Sequence, residues 1–568
     1  MEKKWILQKQ GDAETVEALS QILKIDKILS NLLVQRKINT FDEAREFFRP
    51  RIEDLHNPFL MADMDKAVDR LEKALSEGEK ILIYGDYDVD GTTSVALVYS
   101  FLKPIYSNIG YYIPDRYDEG YGVSIEGIDF AHKNGYSLII ALDCGIKAIK
   151  KVDYANEKHI EFIICDHHTP GETLPKAAAI LNPKREDCNY PFKELSGCGV
   201  GFKFVQAYAQ RKNIPFENLT PLLDLVAVSI ASDIVSINGE NRVLSYFGLE
   251  QLNKQPRIGL KSVIKISGLE GKQITVSDSV FKIGPRINAA GRIDRGSRAV
   301  DLLIAQTQED ANSIADKIDD LNTERKDLDH NHTEEAINFI KSDEKLINRK
   351  TTVVFNPEWH KGVIGIVASR LTETFYRPTV VLTESDGMVS GSARSVFGFN
   401  LYNAIEACAD LLENFGGHMY AAGMTMKREN LEKFQEQFER VVSETITEEE
   451  LTPQIDIDAK INFKDITPKF YRILRQMEPF GPENMTPIFL TDTVYDTGES
   501  RLVGKNLEHL KLELTQKGVK MAGIGFSLAK HLEIIKSGKP FKICYNVEEN
   551  DFRGSKSLQI MVRDVKPM

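Results

Sequence analysis

The chain has 568 residues, with 72 Lys and Arg against 84 Asp and Glu, for a formal charge of −12. At 42% hydrophobic and 27% charged its composition excludes bulk disorder, and no apolar run reaches the roughly 18 residues that would cross a bilayer. The acidic balance argues against a protein that coats nucleic acid non-specifically, and six cysteines with no close CxxC pair point to a reducing compartment, not a disulfide framework.

Residues 1–60 read as an N-terminal helical region, with apolar residues at three- and four-residue spacing over Asp26–Val34 and Phe41–Phe48. Over 61–305, helical segments alternate with short apolar strands at Ile81–Tyr84, Leu138–Leu142, Phe162–Cys165 and Ala178–Leu181. That alternation predicts an α/β domain with a doubly wound, mostly parallel sheet. Residues 306–342 are charged and free of Gly and Pro from Gln308 onward, which predicts a connector helix. A smaller α/β domain, 343–447, opens with Thr351–Phe355 and continues through Thr379–Leu382. Residues 448–568 begin with Glu448-Glu449-Glu450 and then alternate strands such as His509–Leu514 and Phe541–Val547 with Gly-containing turns, an all-β pattern of small-barrel size.

The strongest chemical signal is Tyr84-Gly85-Asp86-Tyr87-Asp88-Val89-Asp90-Gly91, in which three aspartates alternate directly after a strand and before a helix-compatible run. Open α/β sheets bind ligands at the carboxyl ends of their strands, and three anions packed there need a cation. Helix capping would account for one or two of the three. Leu138–Leu142 ends in Asp143, Phe162–Cys165 ends in Asp166-His167-His168, and the apolar helix Leu222–Ala231 ends in Ser232-Asp233. Carboxylates with imidazole suit Mn²⁺ or Mg²⁺, and the number of aspartates suits two ions sharing a bridging carboxylate. Zinc is disfavoured by the lack of a cysteine cluster. The chemistry indicated is metal-assisted phosphoester hydrolysis.

Asp166-His167-His168 with the upstream DxDxDG element resembles the DHH phosphoesterase superfamily, and Gly85–Gly91 is similar to its RecJ family of single-strand-specific 5′→3′ exonucleases. The resemblance extends through Gly284-Pro285-Arg286-Ile287-Asn288-Ala289-Ala290-Gly291-Arg292 to Gly416-Gly417-His418-Met419-Tyr420-Ala421-Ala422-Gly423, which resembles the GGHxxAAG signature of a companion DHHA1 domain. It implies that Asp88, Asp90, Asp143, His167 and Asp233 hold the metals, with Asp143 bridging and His168 on the scissile phosphate; Asp86 is counted with the metal motif. Tyr84 stands where many short superfamily members carry a histidine, which implies a weaker first metal site and dependence on added Mn²⁺.

Substrate contacts are expected from the second α/β domain. Gly416-Gly417 frees backbone N–H groups for an oxyanion, His418 can donate to it, and Ser392 beside Arg394 suits a terminal phosphate, with Arg370 a further candidate. The family implies that this domain faces the metals and anchors the 5′ end. The last segment resembles an oligonucleotide-binding (OB) fold, with Glu478-Pro479-Phe480-Gly481-Pro482-Glu483-Asn484 and His509–Leu514 as landmarks. Residues 451–568 carry 18 Lys and Arg against 15 Asp and Glu, a net +3, which leaves −15 on the first 450. Arg501, Lys511, Lys520 and Phe526 are candidates for strand contacts.

The reading is therefore a metal-dependent exonuclease that releases 5′-mononucleotides from single-stranded DNA in DNA repair and recombination. The family further implies a cytoplasmic monomer without membrane association, with a single-strand binding protein and a RecQ-type helicase as candidate partners. A DHH/DHHA1 phosphodiesterase for very short oligonucleotides or cyclic dinucleotides is the alternative, disfavoured by the OB-like segment and Tyr84. A non-catalytic scaffold is disfavoured because every implied ligand is present.

Overall fold

The computed structural model describes residues 2–385, 387–552 and 555–568. A short strand, β1 (Lys4–Leu7), precedes the helices Ala13–Leu23, Lys27–Gln35 and Phe41–Phe48. The helices follow the predicted spacing; the strand departs from the all-helical expectation. Its pairing explains why, because β1 runs parallel to β12 (Gln454–Ile457), more than 400 residues away, and no local pattern announces such a partner.

The catalytic-side sheet holds β2 (Ile81–Gly85), β3 (Ile109–Tyr112), β4 (Leu138–Leu142), β5 (Glu161–Cys165) and β6 (Ala179–Leu181), all parallel, in the order β3-β2-β4-β5-β6. Helices cover both faces, so β2 and β4 are buried along their whole length and read as continuous apolar runs. Alternate side chains serve two cores. Ile81 and Ile83 join the helices Met64–Glu77, Val89–Leu102 and Gly197–Arg211, whereas Leu82 and Tyr84 join Ile128, Val152 and Ala155 on the opposite face. All five strands therefore deliver their carboxyl ends to one edge.

The helix Gln308–Ser342 is 35 residues long, about 50 Å at the α-helical rise. Its first half puts Ala311, Ala315 and Ile318 into the catalytic-side core, and its second half puts Ala336 and Ile340 against Val354, Trp359 and Val367 of the next domain. That domain is a mixed sheet of β7 (Thr352–Phe355), β8 (Thr379–Ser385), β9 (Met388–Arg394), β10 (Asn414–His418) and β11 (Ala421–Met426), in the order β10-β11-β9-β8-β7.

After β12 and the short β13 (Ala459–Lys460) come β14 (Phe489–Asp496), β15 (Arg501–Val503), β16 (His509–Gln516), β17 (Val519–Gly525), β18 (Phe541–Phe552) and β19 (Ser555–Pro567). Pairing runs β14-β18-β19-β17-β16, and a β14–β16 ladder at Tyr495↔Thr515 closes it into a barrel. Its core includes Leu19, Leu29, Leu32 and Leu33 of the N-terminal helices, so the two ends of the chain share one hydrophobic cluster. The Glu478–Asn484 landmark is not part of the barrel: it is the turn between the helix Pro468–Arg475 and β14.

Candidate active site

Sequence and geometry meet first at the end of β2. The chain leaves the strand at Gly85 and enters the helix Val89–Leu102, with the Asp88 carboxylate accepting from Gly91 N at 2.9 Å as helix cap. Gly91 cannot be replaced, because a Cβ there would lie 2.4 Å from Asp86 O. Asp90 is held by three donors: Gly197 N (2.6 Å), Cys198 N (2.8 Å) and the Ser229 hydroxyl (2.7 Å). The N-terminus of the helix Gly197–Arg211 thus stabilises this carboxylate, and Gly197 makes room for Asp143, whose Cβ an added methyl would approach to 2.6 Å.

Asp143, His167 and Asp233 close round Asp90. His167 Nε2 lies 3.2 Å from Asp143 Oδ1, 3.6 Å from Asp233 Oδ2 and 3.7 Å from Asp90 Oδ2. Asp143 adopts the left-handed region (φ 59°), uncommon for a residue other than Gly. Two overlapping groups, Asp143/His167/His168 and Asp90/His167/Asp233, each bring ligand atoms within 4.8 Å of one another.

Burial followed by mutual repulsion raises the pKa values of these carboxyls. Burial and Asp88 push Asp86 well up, and burial with Asp90 and Asp88 does the same to Asp143 and Asp233; Asp88 is raised more modestly, by burial and Asp90. Burial lowers His167 toward its neutral, ligating form. Asp86 Oδ2, Asp143 Oδ1 and both ring nitrogens of His167 are buried without a hydrogen-bond partner. Unsatisfied carboxyl oxygens and imidazole nitrogens gathered in this way fit a pair of hard divalent cations.

His168 behaves differently. Asp166 Oδ1 lies 2.7 Å from its Nδ1 and also accepts from the backbone N–H of His167 and His168, while Asp166 Oδ2 accepts from Ile146 N. Burial lowers the His168 pKa, but the Asp166 contact more than offsets it and the net shift is upward; Asp166 is held down at about 2. The other nitrogen, Nε2, faces outward to the Tyr121 hydroxyl at 3.1 Å. Tyr84, by contrast, is wholly buried on the far face of the sheet, stacked on Tyr112 and donating to Gly122 O at 3.0 Å. Its hydroxyl is thus committed to Gly122 and Ser124.

A basic pocket adjoins the acidic one. Arg116 packs over the Tyr87 ring, 4.8 Å from its centroid, and its charge reaches Asp86 and Asp88. Arg292, on the helix Gly284–Ile293, is pushed down to about 9 by burial and then by Arg116, Arg325 and Arg394. Burial and Arg116 likewise lower Arg394, whose Nη1 donates to Ser392 Oγ at 3.1 Å. Among the described residues no carboxylate pairs with Arg116, Arg292 or Arg394, and Arg325 has only Asp329 at 3.8 Å. Guanidiniums crowded without counter-charge form an anion site. Sequence reasoning missed Arg116 and Arg325 and gave Arg292 no role.

Gly416, Gly417 and His418 form the exposed β10 edge of the neighbouring sheet. Gly417 (φ 151°) has Ala421 O only 2.4 Å from where a Cβ would sit, and Gly416 faces open space. His418 is close enough to His168, Lys147 and Lys184 that, after burial, their charges lower its pKa. Arg370 does not join this group: its guanidinium makes a two-pronged ion pair with Asp329 on the long helix, at 2.7 Å for each arm. Arg501 and Lys511 are paired neighbours on the outer face of the barrel, Lys520 is exposed there, and Phe526 is half exposed beside His509. A cavity of about 3370 Å³ between the barrel, the N-terminal segment and the catalytic-side helices is lined by Phe281, Tyr246 and Phe526, and by Ala231 and Ile234, which flank Ser232-Asp233 in the chain.

Three family models match the chain: the DHH family N-terminal domain over 80–230, the DHHA1 domain over 348–444 and the RecJ OB domain over 457–564. The single-stranded-DNA-specific exonuclease RecJ of Bacillus subtilis (strain 168) is 37% identical over 563 residues, 99% of this chain and 70% of that protein. The exonuclease of the same name from Escherichia coli (strain K12) is 34% identical over 529 residues, 89% of this chain and 91% of that one. Among solved structures, RecJ from Thermus thermophilus in complex with Mn²⁺ shares the fold at a TM-score of 0.84 and 24% identity, over 100% of this chain and 80% of that chain. An exonuclease RecJ bound to manganese matches at a TM-score of 0.60 and 30% identity, over 68% of this chain and 96% of that one.

Proposed function

The chain belongs to the RecJ family, and on that premise we propose that it is a single-stranded-DNA-specific exonuclease that removes mononucleotides from the 5′ end. The observation that carries the polarity is the contiguity of the two pockets: Tyr87 lies between Asp86 and Asp88 and also under the Arg116 guanidinium. A terminal phosphate held by Arg116, Arg394 and Ser392 leaves the first phosphodiester to fall on the acidic side.

Asp88, Asp90, Asp143, His167 and Asp233 are the residues to hold two Mn²⁺ or Mg²⁺ ions, with Asp86 beside them. Such ions, when bound, neutralise the phosphodiester and acidify the attacking water. The chain's own groups supply the rest. Asp166 favours the protonated form of His168 and turns its Nε2 outward, where it can donate to a phosphate oxygen once Tyr121 gives way. Gly416 and Gly417 present a bare strand edge, and His418 adds a donor opposite His168. Repeated one-nucleotide advance would draw the strand from the barrel side, past Phe526 and Ile234.

The family supports the remaining setting: repair and recombination in the cytoplasm, a monomer, with a single-strand binding protein and a RecQ-type helicase as partners. Six free cysteines, all buried, suit a reducing compartment. Among the described residues no helix is long and apolar enough to cross a membrane.

The test is a single-stranded oligonucleotide labelled separately at each end and incubated with Mn²⁺. Immediate release of mononucleotide from the 5′ label, with duplex spared, is the expected result. Degradation that begins at the 3′ end, or cleavage confined to dinucleotides, overturns the reading.

A further inference from the structure

Asp233 differs from the other acidic residues in how it is held. Three donors fix Asp90 and four fix Asp166, but among the described residues none reaches the Asp233 carboxylate. Its direction therefore depends on the backbone. Asp233 ends the helix Leu223–Ser232, its N–H bonded to Ser229 O at 2.9 Å, and the chain then turns through Ile234 at φ 57°. A β-branched residue resists that left-handed conformation, and Ile234 is 65% exposed, with no packing of its own to enforce it. Something downstream must.

That something is the Glu478–Asn484 turn of the C-terminal segment. Ile237 N donates to Pro482 O at 2.9 Å, Ser236 Oγ donates to Glu483 Oε2 at 2.8 Å, and Asn238 Nδ2 donates to the same oxygen. Gly481 lies so close over Ile237 that a Cβ would come within 2.5 Å of Ile237 Cδ1. The turn is itself anchored from behind. Asn484 donates to Met477 O and Pro479 O, both at 2.9 Å, and accepts from Arg36 Nε at 2.8 Å, while Arg242 donates to Met477 O at 3.0 Å and Glu478 O at 2.9 Å. A fastened turn thus presents one carboxylate to the loop that carries Asp233.

We propose that Glu483 is a positioning residue for the metal centre, acting from the C-terminal segment through Ser236 and Asn238 to set the direction of Asp233. This rests on the reading of Asp233 as a metal ligand. Glu483 is not itself a metal ligand in this proposal, and its effect falls on metal affinity before anything else.

The experiment is calorimetric titration of the full-length protein with Mn²⁺, compared among wild type, E483A, E483Q and S236A/N238A. Outer partners of metal ligands are worth about 10–100-fold in affinity, so E483A and S236A/N238A each weaken Mn²⁺ binding by about ten-fold at an unchanged melting temperature. Combining them adds little, because both break one link. E483Q keeps an acceptor oxygen in place and stays near wild type. Binding of a 5′-phosphorylated oligonucleotide in EDTA is the same for all four. E483A with wild-type Mn²⁺ affinity overturns the proposal, as do losses that add in the combined variant. If E483A does not fold, the comparison of E483Q with S236A/N238A decides alone, and equal affinities for those two overturn it. A wild-type protein that binds no Mn²⁺ would instead sink the metal-centre reading on which the proposal rests.

Discussion

The acidic and basic pockets lie side by side and are built in opposite ways. The acidic one is built mainly on a single sheet: β2, β4 and β5 end on the same edge, and their next residues supply Asp86, Asp88, Asp143, His167 and His168, with Asp90 and Asp233 added from the helices Val89–Leu102 and Leu223–Ser232. The basic one draws Arg116 from the loop after β3, Arg292 from a short helix, Arg325 from the long helix and Arg394 from the next domain. The ligands of the first all lie in one domain, and only Asp233 leans on the C-terminal turn. The second exists only when the domains are assembled. On the proposed function, hydrolysis rests mainly on a local structure and end recognition on a tertiary one, so the two should be separable by mutation.

The largest test of that separation is Asp143→Ala. It should lower hydrolysis by at least about 10²–10³-fold, the scale for losing a preorganised electrostatic group, while strand binding measured in EDTA is retained. Loss of both together would mean that the pockets are not independent. Next, Arg116→Ala and Arg394→Ala should each weaken binding of a 5′-phosphorylated strand by roughly 10–100-fold, the worth of about 1.5–3 kcal/mol for a hydrogen bond to a charged group. Binding of the 5′-hydroxyl strand should barely change. Equal losses on both strands would assign these arginines to general backbone contact.

A smaller effect separates the pockets by pH. Folding raises the Asp86, Asp143 and Asp233 pKa values, so the folded state holds protons that the unfolded chain has released. Metal-free stability therefore falls as pH rises above the ordinary carboxylate value of about 4, and bound Mn²⁺ relieves the repulsion. The melting temperature should gain several °C on adding Mn²⁺ at about pH 8 and less at about pH 6. A gain that is flat or shrinks over that range would contradict the buried-carboxylate account. Smallest of all, Arg501→Ala with Lys511→Ala should weaken long-strand binding a few-fold and reduce the salt slope by about 0.7 per lost contact, leaving dinucleotide cleavage unchanged. An unchanged slope would remove the barrel face from the strand path.

The same contrast governs what could be read without a structure. Asp86, Asp88 and Asp90 were legible because strand, turn and helix cap are consecutive, and the long helix was legible because nothing between Gln308 and Ser342 interrupts it. Arg116 and Arg325 carry no local mark; a guanidinium beside tyrosines looks like any surface arginine until other domains bury it. Arg370 illustrates the converse. Its position on a helix near a glycine-rich turn suggested phosphate, but Asp329, 41 residues earlier on another helix, claims both arms. The edge strand β3 (Ile-Gly-Tyr-Tyr) is too short and too mixed in polarity to stand out. The Glu478–Asn484 turn was visible as a motif, yet only its contacts with Ser236, Ile237 and Asn238 show which part of the molecule it serves.

The pairing of β1 with β12 has a consequence for how the protein is made. Lys4–Leu7 is synthesised more than 400 residues before its partner Gln454–Ile457. Until the C-terminal barrel arrives, Leu19, Leu29, Leu32 and Leu33 have no complete core to enter. Over those residues of synthesis the nascent chain carries apolar helices without their partner, a load on chaperones that a chain with local pairing would not impose. Removing either segment leaves the other without its partner.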